Sequence, residues 1–338
     1  MEVDRLIVPP GVYFDVPHEL YHADPAPAPS ISASQCETLL ETSPYRAWFA
    51  NSRMNPDAPE RVATTPMDEG SALHRLISGA GPTIAEIDFG DYKKDAAKEA
   101  RAAARARGEI PILSARLEDL RIIARHAAQM IADHPEAAEL LEDDYASEVT
   151  MLWQEMTESW TPDTTHKMPW CRARADRMHR TDPRRAIYDF KFTDRLTSPF
   201  GWDRSFVNSY WDLRAAFYGM GSLRTRGFAP AYRYVIVEKN PPYDVTVLQA
   251  TPEMLALGEA KAMAAIRAWE ACMVAGHWPR YPARIFHVSP PPYAEAKWME
   301  RPDMDHMLPA PKALPNGERI SLWQWLQDNL DSEIMSAG

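Results

Sequence analysis

Two acids and one lysine in a short stretch of this 338-residue chain have the types and spacing for metal-assisted chemistry. Residues 171–193, CRARADRMHRTDPRRAIYDFKFT, read as two strands around Asp182-Pro183. That dipeptide is a strong turn signal, because proline sets its own φ and aspartate can bond its own backbone. Folded about this turn, residues whose numbers sum to 365 oppose each other, which places Asp176 across from Asp189. Lys191 lies two residues beyond Asp189 and points to the same face. Two facing carboxylates repel unless a cation lies between them. A hard divalent ion suits them: Mg²⁺ binds through one or two protein acids and keeps several waters. The carbonyl of Phe190 offers a further oxygen from the same strand. Lys191 is then placed to orient or deprotonate an attacking water, or to offset charge on a phosphate. If two ions bind, about 3.5–4 Å apart, they clamp the attacking and leaving oxygens. The same three residues also read as a surface ion-pair ladder, since a D-x-K triplet alone is common.

The elements that must position these residues can be sketched from periodicity. Residues 148–155, EVTMLWQE, alternate like a strand and bring Glu148 as an additional acid outside the core set. Residues 67–78, MDEGSALHRLIS, read as a helix with acids in its first turn, favoured by the helix dipole. Its apolar stripe is Ala72, Leu73, Leu76 and Ile77, and His74 lies beside it among Gly70, Ser71 and Ser78. A histidine there is commonly packed or capped; as a ligand it would serve a second ion and widen tolerance toward Mn²⁺. Upstream, Ser32 or Ser34 is placed to cap a short helix, with Glu37 near the capping-box position. Ser43-Pro44 starts another helix with Tyr45, Trp48 and Phe49 as core aromatics. Residues 91–107 and 114–132 form a helical hairpin, and 202–223 and 252–276 are further helices. Residues 231–239 and 243–249 are strands. This order describes an α/β core with helical additions.

Composition bounds the partners. The net charge of −11 argues against nucleic acid, but its distribution is uneven. Residues 1–60 carry three basic and nine acidic side chains, and 286–338 carry four and eight. Residues 172–185 hold Arg172, Arg174, Arg177, Arg180, Arg184 and Arg185 against two acids. A basic centre between acidic ends suits a polyanion held in a groove, and equally a solvated face. No apolar run approaches the roughly 20 residues that span a bilayer. Cys36, Cys171 and Cys272 are odd in number and far apart, which fits a reducing cytoplasm and excludes an all-cysteine iron–sulfur cluster.

D-x(12)-D-F-K resembles the core motif of the PD-(D/E)XK nuclease superfamily, and the exonuclease VIII (RecE-type) branch of prophages in particular. GVYFDVPHELYHA followed by SISASQCETLLETSPYRAWF resembles that branch's N-terminal opening. EGSALHRLI resembles its helix with the metal-linked histidine, and CRARAD and IYDFKFT its two catalytic strands. LRAAFYGMG resembles the following helix, and VIVEKNPPYDVTV the late hairpin. The likeness runs from about Gly11 into the 270s.

The resemblance implies an α/β fold with a restriction-endonuclease-like core, a mixed central sheet flanked by helices and a helical insertion. On that reading residues 1–285 are one nuclease domain, with the insertion near 91–140. Residues 286–338 are a Pro-rich extension ending in an amphipathic helix near 319–330. Carried over by position, Asp176, Asp189 and Lys191 match the metal and catalytic residues, and His74 the histidine ligand. Tyr218 matches the tyrosine of a QxxxY motif in related nucleases. Arg214 stands where that motif has glutamine, and with Arg174 it is a candidate for contacting phosphate. The implied activity is Mg²⁺-dependent digestion of linear duplex DNA from its ends, 5′→3′. The implied setting is a ring-shaped homo-oligomer working with a single-strand annealing protein. The open alternatives are an endonuclease or opposite polarity within the superfamily, and a DNA-binding scaffold without catalysis.

Overall fold

The hairpin around Asp182 forms at the centre of a mixed sheet in the computed structural model, which describes residues 9–59, 63–157, 168–195 and 198–299. The chain first runs through β1 (Gly11–Tyr13), α1 (His18–His22), β2 (Ser30–Ile31), α2 (Ala33–Glu41), α3 (Pro44–Phe49) and α4 (Thr65–Ser78). Next come β3 (Ile84–Ile87), α5 (Asp95–Ala106), β4 (Ile110–Leu113) and α6 (Ser114–Ala132). Then follow β5 (Tyr145–Gln154), β6 (Trp170–His179), β7 (Ile187–Thr193), α7 (Trp202–Asn208) and α8 (Trp211–Arg226). The last are β8 (Tyr232–Glu238), β9 (Val245–Gln249), α9 (Pro252–Ala275) and α10 (Pro292–Met299). Among the described residues the main sheet has the order β1-β5-β6-β7-β8-β9, with β2 on the first residues of β6. All neighbours along that path are antiparallel except β7 and β8, which run parallel through the intervening helices.

Two apolar cores cover the two faces of this sheet. One joins α2, α8 and α9 to Met151, Trp153, Ala173, Tyr232 and Tyr234. The other joins α4 and α6 to Tyr188, Phe190, Val235 and Val237. The chain therefore has the expected α/β fold, a mixed central sheet flanked by helices. α6 differs from a hairpin helix added at the periphery, because Leu120, Ile123, Ala127 and Ile131 lie in the sheet's own core. Gly108 and Pro111 do break the helical run, but Pro111 sits in β4, paired parallel with β3. On α5, Arg101 and Arg105 turn inward and bind the buried Asp68 at 3.0 and 2.7 Å, while Lys98 stays exposed.

Three other expectations change. Ser32 caps α2 in a capping box whose partner is Gln35, leaving Glu37 free to face elsewhere. Tyr45, Trp48 and Phe49 are not core residues; only Ala47 of α3 is buried, and Tyr45 packs on its neighbours and under Arg280, 3.7 Å above its ring. The single helix expected over 202–223 is two, α7 and α8, separated where Tyr210 takes a left-handed φ of 53°. The chain divides into two units, Met1–Tyr281 and Pro282–Gly338. In the second, α10 is the described helix, and the amphipathic helix expected near 319–330 lies outside the described residues. No helix among the described residues is long and apolar enough to cross a membrane. The three cysteines are free and buried.

Candidate metal centre

The register of the central hairpin follows the sum rule: Arg177 pairs with Tyr188, so Asp176 and Asp189 stand across from each other one step further on. There the backbone ladder gives way to a side chain, and Asp176 Oδ2 accepts the Phe190 N–H at 2.8 Å. The strand on the other side carries the third acid. β5 pairs with β6 through Ser147↔Arg177 and Val149↔Ala175, which sets Glu148 opposite Asp176. Glu148, Asp176 and Asp189 thus occupy one row across three adjacent strands.

That row lies on a break in the in–out alternation. In β5 the residues facing the α8–α9 core are Ala146, then Val149, Met151 and Trp153, a change of phase at Glu148. In β6 they are Cys171, Ala173 and Ala175, then Met178, a change of phase at Asp176. Glu148 carries the local distortion, with a φ of 56° that only glycine adopts freely. Such a backbone costs about 1–3 kcal/mol and persists where surrounding structure holds it. The break turns both carboxylates away from the regular pleat and toward α4.

α4 supplies the histidine. His74 Nδ1 lies 3.4 Å from Glu148 Oε1, and Nε2 lies 3.7 Å from Asp176 Oδ1. One ligand atom from each of His74, Glu148 and Asp176 falls within 4.8 Å of the other two. His74 Nε2 is buried and has no hydrogen-bond partner among the described residues. The Phe190 ring packs against the imidazole edge-on, centroids 5.8 Å apart, fixing its plane. An orphaned imidazole nitrogen beside two carboxylates is a donor set that fits a divalent cation of the Mg²⁺–Mn²⁺ kind. Crowding of the acids is visible in Asp176, whose carboxyl is pushed up to about 6 by burial and by Asp189, with His74 and Lys191 opposing.

Asp189 stands beside this group with both oxygens engaged. Oδ1 accepts the Tyr232 hydroxyl at 3.0 Å, and Oδ2 is bound by the Lys191 ammonium. The Lys191 ammonium also lies 3.5 Å from the Phe190 carbonyl, the oxygen the sequence offered as a ligand.

Of the remaining candidates, Arg174 binds Glu148 Oε2 through Nε, and its guanidinium stacks 5.3 Å over Tyr21. Tyr218 is buried, and its hydroxyl donates to the Arg174 carbonyl at 2.9 Å, so it props β6 from α8. Arg214 binds Glu37 at 2.9 Å, the acid released from capping α2. Burial raises the Glu37 carboxyl, with Arg214 and Lys191 acting to lower it.

The arginine-rich surround is mostly accounted for locally. Arg172 binds Asp24 and the Ser30 carbonyl, Arg177 the Leu140 carbonyl, and Arg185 the carboxylates of Glu139 and Glu142. Only Arg174 of the six reaches the acidic row. Alternation along the strand and the acids of the neighbouring turn divert the others. Glu148 and Glu37 are the functional candidates that sequence reasoning left aside. Glu148 was legible as the acid that a strand pairing of β5 with β6 sets beside Asp176.

The chain is similar in structure to a "Putative exonuclease" from Eubacterium rectale, at a TM-score of 0.53 and 12% identity, covering 85% of this chain and 98% of that one. What the two share is a fold. It is consistent with a restriction-endonuclease-like core, the architecture expected from the sequence. A second solved structure, SSO0001, overlaps at a TM-score of 0.24 and 11% identity over 61% of this chain and 88% of that one, which carries no argument. No family model matches the chain, and no curated protein does.

Proposed function

We propose that this protein is a divalent-metal-dependent exodeoxyribonuclease that hydrolyses linear double-stranded DNA from its ends. The observation that carries the reading is the His74–Glu148–Asp176 group, whose Asp176 feels the charges of both Asp189 and Lys191. In this reading His74, Glu148 and Asp176 would hold the ion, with Asp189 and the Phe190 carbonyl as further ligands. The bound ion, Mg²⁺ or Mn²⁺, supplies electrostatic stabilisation for the phosphate and acidifies a water. Lys191, bound to Asp189, orients the attacking water and offsets charge on the phosphate. Arg174, held on Glu148 and stacked on Tyr21, is the arginine of the strand that reaches the row, and its role is to contact a phosphate oxygen. Arg214 plays the same part further out, and Tyr218 sets the height of the strand that carries Arg174 and Asp176.

The similarity of fold to a protein described as an exonuclease supports this class over other phosphodiesterases. The sequence resemblance adds 5′→3′ polarity, a homo-oligomeric ring, a single-strand annealing partner and a role in phage-type recombination, and these are part of the proposal. Separately 5′- and 3′-labelled linear duplexes, with covalently closed circles as control, test it. Mononucleotide release from the 5′ end with circles intact is the expected result. Cutting of the circles would make the protein an endonuclease, and release from the 3′ label first would reverse the polarity.

A further inference from the structure

We propose that Tyr232 is a positioning residue for the metal site, acting through Asp189. The inference rests on the metal-dependent nuclease reading and adds a residue that the motif does not contain. Tyr232 lies on β8, where Ile187 is its register partner on β7, while Asp189 pairs with Tyr234. Its side chain therefore reaches two residues along the neighbouring strand to place its hydroxyl 3.0 Å from Asp189 Oδ1. Both groups are buried, Tyr232 at 2% and Asp189 at 3% exposure, so water cannot replace this bond. The Tyr232 ring is held edge-on by Tyr218 and Tyr234, with centroids 5.2 and 5.1 Å away. A hydroxyl on a fixed ring pins one oxygen of the carboxylate, and Lys191 takes the other. Rotation of Asp189 about its terminal torsion would break the Tyr232 bond. The carboxylate plane is thus set before an ion arrives, and the oxygen turned toward Lys191 is Oδ2. Groups that hydrogen-bond a metal-site carboxylate from behind typically change metal affinity 10–100-fold when removed.

The test is Mn²⁺ binding to the full-length protein, followed by electron paramagnetic resonance without DNA, for wild type, Tyr232→Phe and Tyr234→Phe. Tyr234 is the matched control: it is equally buried on the same strand, but its hydroxyl donates to the Trp211 carbonyl at 2.6 Å, not to a site acid. Tyr232→Phe is expected to weaken Mn²⁺ binding by about 10-fold or more, and Tyr234→Phe by less than about 2-fold. With DNA, Tyr232→Phe should lower kcat at fixed Mn²⁺ and leave KM for DNA unchanged. In an Asp189→Ala background, which leaves the Tyr232 hydroxyl no acceptor at this position, the effect of Tyr232→Phe on Mn²⁺ affinity should vanish, because the two act as one unit. Equal Mn²⁺ affinity of the two phenylalanine variants, or an undiminished Tyr232→Phe effect in the Asp189→Ala background, overturns the role of Tyr232 and leaves the nuclease reading standing. A wild-type protein that binds no Mn²⁺ overturns both.

Discussion

Asp176→Asn should make the protein more stable and inactive at once. Burial and the neighbouring Asp189 push the Asp176 carboxyl from 3.8 to about 6, so in the fold the protonated form is preferred. A raised acid helps stability below its unfolded value, and that help is lost as pH rises through about 6. At about pH 8 the folded protein carries an ionised Asp176 that it holds less well than the unfolded chain does. A shift of about two units corresponds to roughly 3 kcal/mol at most. Asp176 is still 22% exposed, which brings the expectation to about 1–3 kcal/mol. Asparagine imitates the protonated acid, and its carbonyl can still accept the Phe190 N–H. For a domain of this size that stabilisation raises Tm by about 2–6 °C. Thermal unfolding in EDTA at about pH 8 and about pH 4 reads it directly. The variant should lead at about pH 8 and match wild type at about pH 4. Added Mg²⁺ should raise the Tm of wild type and not of the variant. A variant that is less stable at about pH 8, or one whose advantage is the same at both pH values, refutes the argument.

Glu148→Gln removes a charge from the row while keeping its shape, and should weaken Mn²⁺ binding about 10-fold or more with little change in fold, as titration monitored by calorimetry would show. Gly258→Ala should destabilise by about 3 kcal/mol, about 6 °C in a thermal melt, because a Cβ there meets the Asp212 carbonyl oxygen of α8 at 2.0 Å. One residue inserted between Asp182 and Pro183 should abolish cleavage by moving Asp189 out of line with Asp176. Retained activity would mean that the turn does not set the register.

Much of this arrangement is legible in the sequence because it depends on local rules. Asp182-Pro183 fixes where the hairpin turns, and the register that follows sets Asp176 across from Asp189. The helix of His74 and the two late strands follow from periodicity and end close to where they were expected. What the sequence conceals depends on long-range neighbours. The change of phase at Glu148 has no glycine or asparagine to announce it, since tertiary packing rather than propensity holds that φ. The fate of the arginines is equally non-local: six close cations look like a polyanion groove until Asp24, from another segment, binds Arg172, and Glu139 and Glu142 together bind Arg185. The aromatics of α3 resemble core residues because apolarity alone does not say which face of a short helix meets the sheet.

The central claim is that the acids and Lys191 form one metal-dependent hydrolytic site, and the most direct measurement is digestion of end-labelled linear duplex by wild type and Lys191→Ala. Wild type should digest the duplex with Mg²⁺ or Mn²⁺ and stop in EDTA, while Lys191→Ala should bind both Mn²⁺ and DNA yet digest neither strand. Digestion that continues in EDTA, or that Lys191→Ala carries out as fast as wild type, would contradict the account.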